Sequence, residues 1–124
     1  MNEGGYRQFL PGDEIKLKLE IRYARMHLHE VGVVFRHEED EEQHQLAAGG
    51  PPEASGTTNV AELTLLVPAG AVPGIYRVRQ LWLETYGGRV YRYQGEEVAE
   101  IASRFALEVI AEPDEKPELG LSYR

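Results

Sequence analysis

Trp82, Glu84, Tyr86, Arg89, Tyr91 and Tyr93 place aromatic rings, a carboxylate and a guanidinium within one short stretch of chain. Rings offer area for stacking, the carboxylate accepts hydrogen bonds and the guanidinium donates them. The stretch runs from Leu81 to Tyr93, with Gly87-Gly88 between two alternating runs. A tight two-residue turn needs positive φ, which glycine adopts freely, so the pattern predicts a β-hairpin. That turn pairs Tyr86 with Arg89, Glu84 with Tyr91 and Trp82 with Tyr93. All six side chains then share one face, while Leu81, Leu83, Thr85 and Val90 form an ordinary core face on the other. Rigid rings flanked by hydrogen-bonding groups bury area at little entropic cost, which suits a protein surface or a sugar ring. The same residue types are enriched in protein interfaces. The competing reading is structural: a large ring such as Trp82 is often mostly buried, here against another strand or the 38–58 segment.

Other constellations carry less. His27 and His29 lie two apart, a spacing that shares a strand face and could grip Zn²⁺. They fall between two expected strands, however, where nothing orients the rings, so no metal site is expected from them or from His37 and His44. The run Glu38-Glu39-Asp40-Glu41-Glu42 lacks the spacing and glycine of a calcium loop. Serine occurs only at Ser55, Ser103 and Ser122, none in a nucleophile elbow, and there is no cysteine. Gly49-Gly50 and Gly87-Gly88 read as turn glycines, not as a phosphate loop opening a helix. No cofactor and no catalytic activity are expected.

Composition narrows the classes further. The chain has 124 residues, of which 42% are hydrophobic, enough for one compact core. Its formal net charge of -8 repels nucleic acid and anionic membrane, so neither is an expected partner. The absence of cysteine excludes disulfides and thiolate metal sites. No apolar stretch approaches the roughly 20 residues of a membrane span. The first residues, Met-Asn-Glu-Gly-Gly-Tyr-Arg, do not read as a signal peptide, and a cytoplasmic location is the expectation, export of a longer parent aside.

These residues need strands to position them. Residues 14–23 alternate strictly, with Ile15, Leu17, Leu19, Ile21 and Tyr23 on one side and Lys16, Lys18, Glu20 and Arg22 on the other. Pro11-Gly12-Asp13 marks the turn before them. Residues 31–37 predict a second strand, with Val31, Val33 and Phe35 on one face. Residues 60–67 predict a third, with Ala61, Leu63, Leu65 and Val67 inward and Glu62 and Thr64 outward. A fourth runs from Ile75 to Tyr86. Its apolar phase shifts between Tyr76/Val78 and Leu81/Leu83, which a one-residue bulge near Arg79-Gln80 reconciles. Residues 89–94 return across the hairpin, and residues 103–110 form a last strand with Phe105, Leu107 and Val109 inward. Residues 95–102 read as a helical turn or a wide bulge. Residues 38–58 hold few core-forming groups and read as a long acidic loop. The expected organisation is a single domain over residues 1–112 with a flexible tail at 113–124.

Short strands separated by turns, without a strong helical period, predict an all-β fold: an antiparallel sandwich of about seven strands, with a barrel as the alternative. Pro73-Gly74-Ile75-Tyr76-Arg77-Val78 resembles the corner entering the sixth strand of immunoglobulin-like domains, where a tyrosine hydroxyl returns to nearby backbone. Tyr76 matches that tyrosine, and Val78 the inward position that is cysteine in antibodies. Without the cysteines or a core tryptophan in the third strand, the chain looks more like bacterial immunoglobulin-like modules. That resemblance implies an interaction, spacer or carbohydrate-binding unit. The expected role is therefore non-catalytic recognition of a protein partner or of a second copy through the aromatic hairpin face. A carbohydrate-binding module is the alternative, and an accessory domain of an enzyme a third option.

Overall fold

The computed structural model of the chain describes residues 6–56 and 58–123. In chain order the elements are β1 (Arg7–Phe9), β2 (Glu14–Arg22), β3 (Leu28–His37), β4 (Gln45–Gly50), β5 (Glu53–Ser55), β6 (Thr58–Leu66), β7 (Gly74–Thr85), β8 (Val90–Gln94), α1 (Glu96–Arg104) and β9 (Ala106–Val109). They form two sheets. The larger has six strands: β4, β3 and β7 lie side by side, and the far edge of β7 is shared by β8 and β9, with β1 outside β9. The smaller has three strands in the order β2-β6-β5. Pairing is antiparallel throughout except between β1 and β9, so the larger sheet is mixed.

The alternating pattern of β2 and β6 is borne out where the strands pair. Ile15 faces Leu65, Leu17 faces Leu63 and Leu19 faces Ala61. These side chains point at Val31, Val33 and Phe35 of β3 and at Tyr76, Val78 and Leu83 of β7, and the two sheets share this core. Full burial of a leucine such as Leu63 or Leu65 contributes about 1.5–3 kcal/mol. Tyr23 departs from the expected alternation. β2 stops at Arg22, and Tyr23 has φ 61° and an exposed ring.

The entry into β2 is a tight turn. Asp13 N–H donates to the Leu10 carbonyl at 3.0 Å, Asp13 Oδ2 accepts the Leu10 N–H at 2.7 Å, and Gly12 has φ 94°. The bulge expected near Arg79-Gln80 is present. Val34 pairs with Gln80 but Phe35 pairs with Val78, so Arg79 is the extra residue and both apolar phases of β7 reach the core. A second irregularity at His29 adds to the curl of this sheet.

The corner is formed as expected. Tyr76 is buried and its hydroxyl donates to the Val72 carbonyl at 2.7 Å. Burial pushes its hydroxyl above the ordinary tyrosine value of 10.0, with the bond to Val72 pulling the other way. His37 packs edge-on against Tyr76 at 5.1 Å between centroids. Its Nδ1 accepts the Glu39 N–H, so Nε2 carries the proton that points to the Pro73 carbonyl 3.0 Å away. A side chain at Gly74, whose φ is 142°, would stand 2.9 Å from His37 Cε1.

Two segments are more regular than their composition suggests. The 38–58 stretch is not one long loop: it holds β4, paired with β3, and β5, paired with β6. Leu46 is buried and anchors β4. Ordering here comes from backbone pairing with β3 and β6, which apolar composition does not report. Residues 95–105 are looped out of the edge of β7 between β8 and β9 and fold as α1. Glu96 and Glu97 in its first turn and Arg104 in its last complement the helix dipole. Val98 and Ala102 are its buried residues. Beyond β9, residues 111–123 belong to no helix or strand and all are exposed.

Candidate functional site

The hairpin that carries the candidate residues turns differently from expectation. Gly88 N–H donates to the Thr85 carbonyl at 2.9 Å, Thr85 N–H donates to the Arg89 carbonyl at 2.9 Å, and Arg89 N–H donates to Thr85 Oγ1 at 3.1 Å. The loop is therefore three residues, Tyr86-Gly87-Gly88, with only Gly88 at positive φ, 88°. This is the turn-plus-bulge hairpin that follows two-residue loops in frequency. The sequence signal was Thr85, whose short hydroxyl can bond the backbone at a turn.

One extra loop residue slips the register by one, and β8 presents the opposite side chains. Leu83 faces Tyr91, Leu81 faces Tyr93, Trp82 faces Arg92 and Glu84 faces Val90. The six residues expected on one face are therefore divided. Trp82 and Glu84 lie on the outer face of the larger sheet, while Tyr91 and Tyr93 join Leu81 and Leu83 on the side turned to the smaller sheet. Tyr86 stands at the turn, 73% exposed, its ring edge-on to His29 at 5.0 Å. Arg89 stays with Tyr91, its guanidinium 5.9 Å from the ring centroid and Nη1 3.4 Å from the hydroxyl.

On the outer face, Trp82 is half-buried by its own sheet. A Cβ at Gly32 of β3 would stand 2.6 Å from its Nε1, and one at Gly49 of β4 would stand 3.1 Å from its Cζ2. The indole thus extends from β7 across β3 to β4. The Ala47-Ala48-Gly49-Gly50 run leaves room for it. Gln80, Glu84, Val90 and Arg92 border the same shallow depression of ≈ 300 Å³. Beside it, His29, Glu30 and Glu84 bring one ligand atom each within 4.8 Å of one another, with His29 Nδ1 3.5 Å from Glu84 Oε1. His27 is not part of that cluster. Three exposed or half-buried groups fall short of the four ligands of a closed structural zinc site.

The acidic run has a structural use. Glu38 lies 3.5 Å from Arg77 Nε, and Glu41 lies 3.0 Å from Arg79 Nε, so the run is drawn against β7. Arg77 also donates to the Tyr6 hydroxyl at 2.8 Å and lies over that ring. Partly exposed pairs of this kind contribute about 0.2–1 kcal/mol each.

The feature least visible in the sequence is an opening along β2. A three-stranded sheet, at about 4.8 Å per strand, is too narrow to cover one that is four strands wide at the β8 end and five at the β9 end. β2 pairs with β6 on one side only, and its other backbone edge is unpaired among the described residues. Leu17, Leu19 and Ile21 are consequently half-buried. Across from them stand Leu81 and Tyr93 of the hairpin and Ile101 and Phe105 at the end of α1, the last three 36–46% exposed. Adjoining clefts lined by residues 15–18, 17–19 and 19–22 make one groove along the whole of β2. Its floor reaches the core, where Phe105 meets Phe35 at 6.1 Å between centroids. Val98, Ile101, Ala102 and Phe105 have the i, i+3, i+4, i+7 spacing of an amphipathic helix, which is the signal that could have revealed this wall.

No family model, no curated protein and no solved structure matches the chain. Among the described residues no helix is long and apolar enough to cross a membrane.

Proposed function

We propose that this chain is a non-catalytic recognition module that takes an extended protein segment into the groove along β2. The observation that carries this reading is the coincidence of a strand edge, unpaired among the described residues, with a largely apolar groove alongside it. An unpaired edge offers backbone donors and acceptors in register, and a groove beside it offers pockets for every second side chain. Strand addition uses both, the backbone for affinity and the pockets for selection. Arg7, Lys16, Lys18 and Arg104 surround the end of the groove nearest the start of β2, which favours an acidic segment there. Of the hairpin residues, Tyr93 contributes directly as part of the wall. The Tyr76 corner supports reading the two facing sheets as a sandwich of the immunoglobulin-like kind.

A sugar ligand is the second reading, and a separate observation favours it. The Trp82 indole lies on the open outer face with Gln80, Glu84 and Arg92 around it, a ring bordered by hydrogen-bonding groups. One experiment separates the two. Backbone amide shifts are followed while a panel of extended peptides with alternating apolar residues, and then a panel of oligosaccharides, is added. The strand reading expects peptides to perturb residues 15–22 and α1, and the double variant Ile101→Ser with Phe105→Ser to weaken them. Perturbation confined to Gln80, Trp82, Glu84 and Arg92 by a sugar, with no peptide response, overturns it.

A further inference from the structure

We infer that the segment taken up by the groove is the exposed 111–123 stretch of a second copy of this chain. The inference rests on the strand-addition reading above and names its occupant. Leu119, Leu121 and Tyr123 are 97%, 100% and 102% exposed, in a stretch where every residue from 111 to 123 is exposed. They alternate with Gly120 and Ser122, so in an extended strand all three apolar side chains point one way. Three large apolar residues on one side of an otherwise polar segment are what the pockets beside β2 require. From Glu118 to Tyr123 no proline interrupts the backbone, so every residue can pair. Six residues also make a strand of ordinary length.

Charge sets the direction. The stretch before the apolar residues carries Glu112, Asp114, Glu115 and Glu118 against one Lys116. The cationic end of the groove is formed by Arg7, Lys16, Lys18 and Arg104, beside the start of β2. Laying the acidic stretch there places Leu119, Leu121 and Tyr123 beside Leu19, Ile21, Leu81 and Tyr93, the apolar side chains of a cleft that Glu20, Arg22 and Glu97 border. The added strand then runs parallel to β2.

The same geometry points to another copy as the donor. β9 runs parallel to β1, and Ile110 N–H donates to the Phe9 carbonyl at 2.9 Å. The chain after β1 must turn back through Leu10–Asp13 to enter β2, so the exposed stretch leaves β9 heading away from its own groove. Glu112 precedes Pro113, and the residue before proline prefers an extended backbone to a reversal. A stretch that leaves β9 in this direction and is exposed throughout is available to a neighbour, and each groove receives one such stretch.

The test measures mass by sedimentation across concentration for the full chain and for the full-length variant Leu119→Ser, Leu121→Ser, Tyr123→Ser. A labelled synthetic peptide of residues 111–124 is titrated into both, beside a peptide of the same composition with its three apolar residues adjacent. The expected results are a mass that rises with concentration for the wild type and stays monomeric for the variant, with identical unfolding curves. The alternating peptide binds the variant at least tenfold more tightly than the rearranged one and dissociates the wild-type assembly. A variant that associates like the wild type overturns the inference. A wild type that is monomeric at every concentration also overturns it, and if the peptide then binds only the variant, the occupant is the chain's own exposed stretch. Binding of other alternating peptides along β2, but not of this one, removes this stretch as the occupant and leaves the strand-addition reading standing. Failure of every peptide removes both.

Discussion

Gly32 lies directly beneath the indole of Trp82: a Cβ built there would stand 2.6 Å from Nε1, closer than any side-chain carbon tolerates. The two residues are partners in the β3–β7 ladder, and the missing side chain of one makes the place for the ring of the other.

Gly32→Ala is therefore expected to push the ring off the sheet. Overpacking of this kind costs about 1–3 kcal/mol. Denaturation measures the loss, and Trp82 emission shifts to the red as the ring enters water. Adding Trp82→Ala removes the clash, so the double variant costs less than the sum of the singles. An unchanged emission and midpoint for Gly32→Ala would show that the ring does not rest there.

Tyr76→Phe removes the bond to the Val72 carbonyl and is expected to cost about 0.5–1.5 kcal/mol at neutral pH. The folded state holds the hydroxyl proton more tightly than the unfolded chain, because burial raises the folded value above 10.0. Above pH 10 the folded state thus binds more protons than the unfolded one, and stability falls as pH rises. The contribution is complete below pH 10 and is lost on passing through the raised value. Denaturation midpoints above pH 10 should fall more steeply for the wild type than for Tyr76→Phe. Parallel slopes would mean that this hydroxyl titrates alike in both states.

Large-to-small changes should grade with the opening along β2. Leu63→Ala, in a fully buried position, is expected to cost about 2–5 kcal/mol. Leu17 and Leu19 are only half-buried, so Leu17→Ala and Leu19→Ala should cost about 0.8–1.5 kcal/mol, half the transfer value. Lys16→Ala and Lys18→Ala, on the outer face, should stay within about 0.5 kcal/mol. Urea denaturation of the five variants reads the series. Equal costs for Leu17, Leu63 and Lys16 are incompatible with this register.

The two tyrosines of β8 share a face but lie at different depths. Tyr91 packs against the core and Tyr93 sits on the groove wall, 37% exposed. Tyr91→Ser is expected to lower the melting temperature of the monomer by several degrees, the shift that about 1 kcal/mol gives in a domain of this size. Tyr93→Ser should shift it by less and weaken peptide binding instead. A larger thermal loss for Tyr93→Ser than for Tyr91→Ser would place the rings the other way round.

Zn²⁺ at an equimolar level is expected to leave the melting temperature unchanged, since His29, Glu30 and Glu84 provide three open ligands and no fourth among the described residues. A tight site would add about 2.7 kcal/mol at a hundredfold excess over its dissociation constant. A thermal shift of that size, abolished by His29→Ala with Glu84→Gln, would reverse this expectation.

Strict alternation in β2 and β6 was readable because it is a local property: period two says which side chains share a face without reference to any partner. The bulge at Arg79 and the Tyr76 corner were readable for the same reason, since each is written within a few residues of β7. The hairpin register was not. Gly87-Gly88 is compatible with loops of two or three residues, and the choice lay in the Thr85 hydroxyl and its bond to the Arg89 N–H. The three-residue loop, closed by backbone and hydroxyl bonds, puts Tyr91 and Tyr93 on the face of Leu81 and Leu83 and not on that of Trp82.

By itself the sequence determined that the chain is mostly β, which residues face inward along its clearest strands, and that no cysteine chemistry is available. Tertiary structure alone decided that the Ala-Gly run pairs as β4 and makes space for an indole two strands away. It also decided that a three-stranded sheet faces a wider one, which leaves β2 half-covered and its edge unpaired among the described residues. The reason is physical: alternation is encoded residue by residue, whereas the width of a sheet, the depth of a groove and the fate of an edge depend on which distant segments find one another.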